Sequence, residues 1–155
     1  MVSVERIQEY QDKIDQEPPY EIPEADQHLS DEWPESGVIE FDSYETRYRP
    51  GLDLVLRGIT CRIDSCEKVG IVGRTGAVKS SITMALFRII EPTAGAIRID
   101  DVDITRIGVG KLRSRITIIP QDPVLFSGSL RSNLDPFESF SDERLWQSLD
   151  HAHLR

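Results

Sequence analysis

Apolar and polar positions change period several times along the chain, and each change predicts an element. Val4, Ile7, Tyr10 and Ile14 recur at helical spacing between charges, which predicts the end of an amphipathic helix over residues 2–14. Residues 17–36 then lose all periodicity, with Pro18, Pro19, Pro23 and Pro34 set among many acids. Such a stretch buries too little apolar surface to offset its ordering entropy and reads as an extended linker. From Gly37 the pattern turns to short apolar runs. Val38–Phe41, Tyr44–Tyr48 and Leu54–Leu56 read as strands, with Arg49-Pro50-Gly51 as the turn between the last two. Ile59, Cys61 and Ile63 alternate as a half-buried strand should.

Lys68–Val72 is a short apolar strand, and a helix follows over Ser80–Ile90 with Ile82, Leu86, Ile89 and Ile90 on its buried side and Met84 in the core. Glu91-Pro92-Thr93-Ala94-Gly95 ends that helix, because proline cannot continue it and glycine supplies a turn. Ala96–Ile99 and the strongly apolar Arg115–Ile119 are further strands, the latter central, and Pro120-Gln121-Asp122-Pro123 breaks it. Ser141-Asp142-Glu143 opens a last helix, carrying Leu145 and Leu149, that runs into the end of the sequence at Arg155. A sequence that stops inside a helix reads as a fragment.

Composition refines this picture in two places. The chain has 155 residues, 18 Lys and Arg against 27 Asp and Glu, and a net charge of −9. That balance argues against nucleic acid, whose phosphates need a basic surface. No run approaches the roughly 18 apolar residues a membrane helix needs, and no apolar core of a signal peptide follows Met1. The 155 residues by themselves are therefore expected to be soluble. Cys61 and Cys66, without a nearby partnering His, read as reduced structural thiols, and His151 and His153 as exposed helix residues.

The chemistry lies between the apolar strand and the helix after it. Val69-Gly70-Ile71-Val72-Gly73-Arg74-Thr75-Gly76-Ala77-Val78-Lys79-Ser80-Ser81 is a glycine-rich turn followed by Lys-Ser at a helix start. Backbone N–H groups and a helix N-terminus there face an anion, and the lysine adds a mobile positive charge. The pattern G-x-x-x-x-G-K-[ST] asks for glycine before the lysine, where this chain has Val78. A β-branched residue takes positive φ only with strain and puts two methyl groups where phosphate oxygens should come close.

Three further phrases widen the match: Tyr48-Arg49-Pro50-Gly51-Leu52-Asp53-Leu54-Val55-Leu56, Ile118-Ile119-Pro120-Gln121-Asp122-Pro123-Val124-Leu125-Phe126-Ser127-Gly128, and Ser129-Leu130-Arg131-Ser132-Asn133-Leu134-Asp135-Pro136. From Gly37 onward the chain resembles the nucleotide-binding domain of ATP-binding-cassette transporters, most of all the second such domain of the multidrug-resistance-associated subfamily. Ser3-Val4-Glu5-Arg6-Ile7 resembles that family's junction between its last membrane helix and the cassette.

The resemblance implies an α/β fold: a P-loop NTPase core with a mixed sheet and an antiparallel β subdomain near Tyr48, truncated in the helical subdomain. It divides the chain into 1–16, the end of a helix from the membrane-domain junction; 17–36, an acidic proline-rich linker; and 37–155, a partial cassette. It implies ATP and Mg²⁺ as ligands. Gly73, Arg74, Thr75, Gly76, Ala77, Val78, Lys79, Ser80 and Ser81 would form the phosphate loop (the Walker A motif), with Lys79 at the β- and γ-phosphates. Ser80 and Gln121 would reach the metal, and Tyr48 would stack on adenine.

The implied activity is that of an exporter, coupling ATP binding and hydrolysis to transport of organic anions or conjugates, membrane-associated on the cytoplasmic side. Its partners would be transmembrane domains and an opposing nucleotide-binding domain. The family's Leu-Ser signature, second acidic strand with its catalytic Glu, and switch His are not among these residues, so no catalytic residue is assigned and the 155 residues alone are expected not to turn over ATP. The rival expectation is a degenerate or truncated nucleotide-binding or regulatory module.

Overall fold

Alternating apolar residues pair into a sheet only where a neighbouring strand can satisfy their backbone groups, and the chain does this around residues 39–46. The computed structural model describes residues 2–13, 16–73, 79–120, 122 and 124–154. The architecture is α/β: an antiparallel four-stranded sheet accompanied by helices. Strands β1 (Ile39–Thr46), β2 (Leu56–Ile63), β3 (Pro92–Ile99) and β4 (Val102–Asp103) lie in the order β2-β1-β3-β4. The helices are α1 (Val2–Lys13), α2 (Pro23–Asp26), α3 (Lys79–Leu86), α4 (Val109–Arg113), α5 (Leu130–Leu134) and α6 (Asp142–His151), with a 3-10 turn at Ile104–Arg106. The chain divides into two compact units, Met1–Thr117 and Ile118–Arg155.

In the first unit, β1 is one continuous strand where the pattern suggested two. Its alternation breaks at Asp42–Ser43, where the register against β2 and β3 shifts and Ser43 takes φ 47°. The bulge lets Phe41 and Tyr44, three residues apart, both face the core, with their rings edge to face at 6.0 Å. Burial pushes the Tyr44 hydroxyl up to about 12. Gly95 is part of β3, not of a turn that ends the preceding helix. It takes φ 72°, and a Cβ there would sit 2.3 Å from the Ser43 carbonyl oxygen and 2.4 Å from that of Asp42. Only glycine lets β3 pass the bulge.

Around these residues the core gathers Trp33, Leu56, Ala85, Ile97, Ile99, Ile104, Ile107 and Leu112, with Met84 and Ile82 packed against it. Helix α3 ends four residues short of the predicted Ile90, so Ile89 points outward and Ile90 is buried. Ile59 and Ile63 are half-buried as expected, but Cys61 between them is exposed, like Cys66. Lys68–Val72 and Arg115–Ile119 are not strands: no partner among the described residues pairs with them, and Val72 and Ile119 are more than nine-tenths exposed. Apolar composition alone does not make a strand without a neighbour.

The acidic proline-rich segment is not a solvated arm over its whole length. Trp33 is 4% exposed and its indole Nε1 donates to the Ile99 carbonyl at 3.1 Å. Asp26 accepts from the Ile22 and Gly108 amides at 2.8 and 2.9 Å. The Pro19 and Tyr20 carbonyls accept from the Val109 and Gly110 amides. Asp100 closes the strap: its carboxylate accepts from the Ser36, Gly37 and Val38 amides at 2.8, 3.1 and 2.8 Å. Asp100 and Asp101, both at positive φ, form the two-residue turn into β4, an element the sequence pattern had not suggested. Burial works against the Asp100 carboxylate, but these backbone donors outweigh it and hold its pKa below the ordinary 3.8.

In the second unit, Asn133 joins two segments. Its side-chain Oδ1 accepts from the Phe126 amide at 2.8 Å, while Nδ2 donates to the Phe126 and Ser129 carbonyls, each at 3.0 Å. Ser129 caps α5 through the Ser132 amide. Asp135 accepts from the Ser139 and Phe140 amides, and these bonds lower its pKa. Ser141 occupies the N-cap position of α6 as expected, though its hydroxyl makes no capping bond to the backbone. Helix α6 does not run into the end of the sequence. It stops at His151, where His153 at φ 56° places its amide on Asp150 and the Leu154 amide on Leu149.

Two outcomes test this account. Gly95→Ala should cost about 2–3 kcal/mol of unfolding free energy, because the bulge must shift or the strand must move; chemical denaturation measures it. Asp100→Asn keeps a residue that tolerates positive φ but removes the charge, so it should cost about 1 kcal/mol at neutral pH. Since the folded pKa lies below the ordinary value, the wild-type advantage is full above about pH 4 and lost as pH falls through the folded pKa. The melting temperatures of the two proteins should therefore converge at acid pH.

Candidate functional site

The candidate site is built where the glycine-rich loop meets α3. Gly73 is the last described residue before the loop and Lys79 the first after it, at the head of the helix. The Lys79 ammonium donates to the Gly73 carbonyl at 2.5 Å, so the residues on either side of the loop are bonded to one another. A Cβ at Gly73 would lie 3.9 Å from the Lys79 side chain, ordinary contact. Arg74, Thr75, Gly76, Ala77, Val78 and Gln121 fall outside the described residues. Ser80 is exposed at the helix start, and Ser81 beside it is 1% exposed.

Tyr48 joins this site from the far side of the sheet sequence. Its hydroxyl lies 2.7 Å from the Ser81 Oγ, which fixes the ring beside the first turn of α3. The ring is 48% exposed and is not part of the core. It borders a groove of about 500 Å³ whose walls include Arg49, Pro50, Ile89, Glu91 and Pro92. Arg47 lines the same groove, and its Nε is the one buried side-chain nitrogen or oxygen among the described residues without a hydrogen-bond partner. Arg47 carries no signal in the sequence, since an arginine next to a turn is ordinary there. Ser81 belongs to the loop pattern, but nothing in that pattern indicates that it holds Tyr48.

The arrangement has definite chemical capacity. A half-exposed aromatic face beside a groove with both apolar and charged walls suits a flat ring with polar edges. The start of an eight-residue helix, with Lys79 and Ser80 on it, suits an anion and a hydroxyl-coordinated cation. The described residues thus fit a nucleotide carrying phosphates. Among them, no helix is long and apolar enough to cross a membrane.

Comparison with known proteins gives the family of the chain. The sequence profile of ABC transporters matches residues 56–155, most of the chain. ATP-binding cassette sub-family C member 2 of Homo sapiens is 57% identical over 155 residues, covering 100% of this chain and 10% of that protein. Multidrug resistance protein mrp-7 of Caenorhabditis elegans is 55% identical over 155 residues, again 100% of this chain and 10% of the relative. ABC transporter C family member 8 of Dictyostelium discoideum is 53% identical over 154 residues, 99% of this chain and 9% of that protein. The chain spans about a tenth of the length of the curated relatives it matches. With the loop, the helix and the matched profile in the same stretch, the chain belongs to the ABC transporter family.

Proposed function

We propose that this chain is the ATP-binding portion of an exporter that couples ATP binding and hydrolysis to the transmembrane transport of organic anions or conjugates. The observation that carries the reading is the bond between Tyr48 and Ser81, which brings an exposed aromatic ring to the same helix turn as Lys79 and Ser80. Two recognition elements far apart in sequence, one for a base and one for phosphates, thereby meet at one place. The likeness to a protein named for multidrug resistance supports an export role.

In this reading Lys79 neutralises the β- and γ-phosphates as a point charge, exchanging its bond to Gly73 for bonds to the ligand. Ser80 would offer its hydroxyl to Mg²⁺, a cation that withdraws charge from phosphate oxygens when bound, and the assignment of Gln121 to the metal rests on the family resemblance alone. Tyr48 stacks on adenine. Transmembrane domains and an opposing nucleotide-binding domain are the partners, with the cassette on the cytoplasmic side of the membrane. The same reading takes residues 1–16 as the junction with a membrane domain, 17–36 as the connection to the cassette and 37–155 as part of it.

Val78 favours a second reading, in which nucleotide is held weakly and without turnover. A valine in the phosphate cradle adds strain of about 1–3 kcal/mol if the loop demands positive φ there. Val78→Gly should therefore tighten binding of a fluorescent ATP analogue by about tenfold or more. Equal affinities for the two chains would refute the idea that Val78 impairs the cradle. Loss of binding in the Val78→Gly, Lys79→Ala double variant checks that the signal comes from this site.

Tyr48 supplies the other arm. In the Val78→Gly chain, Tyr48→Phe should keep most of the affinity and lower stability by about 1 kcal/mol, because the buried Ser81 hydroxyl loses its partner. Tyr48→Ala should lose about tenfold in affinity, since a base-stacking contact contributes about 1–3 kcal/mol. If Tyr48→Ala instead lowers the melting temperature and leaves affinity intact, the ring is a packing residue and adenine stacking is refuted.

A further inference from the structure

The far end of α3 is held in an unusual way. The helix closes with the Arg88 amide on the Ala85 carbonyl at 3.0 Å and the Ile89 amide on that of Met84 at 2.8 Å. This pair of bonds places Arg88 in the left-handed position that glycine usually fills, and it has φ 49°. A side chain at that position is costly and persists only when its surroundings over-determine it. Those surroundings are specific. The guanidinium is 5% exposed, and its Nη1 donates to the Ile104 and Ile107 carbonyls at 2.9 and 2.8 Å. Its Nε and Nη2 reach the two carboxylate oxygens of Glu91 at 3.1 and 3.4 Å.

A second guanidinium closes the same helix end. Arg113, on α4, donates to the Phe87 carbonyl at 2.9 Å and to the Arg88 carbonyl at 3.0 Å, and its Nη2 also pairs with Glu17. One cation, Arg113, thus meets carbonyls at the negative end of the helix dipole, while the other, Arg88, ties that end across to the Ile104 and Ile107 carbonyls. The opposite end, about 12 Å away for eight residues, carries Lys79, Ser80 and the Ser81–Tyr48 bond. A helix this short moves as a rod, so a shift at one end is passed on to the other.

We infer that Arg88 is a positioning residue for the nucleotide, a buried guanidinium that pins the C-terminal end of α3 to the Ile104–Ile107 segment so that its N-terminal end presents Lys79 and Ser80 to the phosphates. The inference rests on the nucleotide reading of residues 73–81. Arg88 itself touches no ligand. Its strained backbone and its bonds across to residues 104 and 107 would be an extravagant way merely to end a helix, which a glycine ends without strain.

The test uses the Val78→Gly chain and a fluorescent ATP analogue with Mg²⁺, well below the melting temperature of every variant. Arg88→Gln keeps the length of the side chain but loses the charged fork, and Arg88→Lys keeps the charge alone. Trp33→Phe, which loses the indole bond to the Ile99 carbonyl, serves as a destabilised control whose lost bond involves none of the Arg88 partners. Arg88→Gln should raise Kd about tenfold, with Arg88→Lys between it and the parent, while Trp33→Phe stays within about twofold. Amide exchange at Lys79–Met84 without ligand should also be faster in Arg88→Gln than in Trp33→Phe. Parental affinity in Arg88→Gln, or an equal loss in Trp33→Phe, would overturn the positioning role. If Arg88→Gln does not fold, Glu91→Gln, which removes only the carboxylate partner, is measured in its place against the same limits. Analogue binding that survives Lys79→Ala would instead overturn the nucleotide reading, and this inference with it.

Discussion

The bulge at Asp42–Ser43 is the constraint from which the first unit is organised. Strand β1 is paired along its length on both sides, and the extra residue in it turns Phe41 and Tyr44 to one face. That choice forces glycine at position 95 and leaves Thr46, fully buried, with its hydroxyl on the Glu91 carbonyl at 2.7 Å. Glu91 is thereby fixed at the entrance to β3, where its carboxylate meets Arg88. The chain of contacts thus runs from the sheet to the end of α3, and along α3 to the loop.

The strap of residues 16–36 shows how a polar segment becomes ordered without a large apolar payload. One tryptophan enters the core and bonds a strand carbonyl, and around it three carboxylates work mainly on backbone groups. Asp26 bonds the amides of residues 22 and 108, and Asp100 bonds those of 36 to 38. Asp31 lies 3.7 Å from the Lys111 ammonium. Charge-assisted bonds to backbone donors are strong and directional, which compensates for the few apolar contacts. Asp26 and Asp31, two of the acids that mark the segment as solvated in a compositional reading, are among the groups that dock it.

Position by position, the legible parts of this protein are the locally encoded ones. The turn at Arg49–Gly51, the helix beginning at Lys79-Ser80, the helix after Ser141 and the N-terminal amphipathic helix all follow from residues next to one another in the chain. The strands at Lys68–Val72 and Arg115–Ile119 did not, because a strand is completed by a partner that the sequence window does not contain. The candidate site divides in the same way. The glycine-rich loop and its lysine are read directly from spacing, whereas Arg47 and Ser81 acquire meaning only from what folds against them.

What the sequence by itself determined is the chemistry: a loop with glycines, a lysine and a serine at a helix start, an aromatic residue ahead of it, and membership of a family whose profile runs from residue 56 onward. These are properties of spacing along one chain, and local backbone geometry carries them. What only the tertiary structure decided is where that chemistry is held. The Tyr48–Ser81 bond, the bulge against Gly95, the docking of Trp33 and the left-handed Arg88 each join residues or conformations that no periodicity relates. They depend on burial and on hydrogen bonds across long separations, and those are settled only when the whole unit packs.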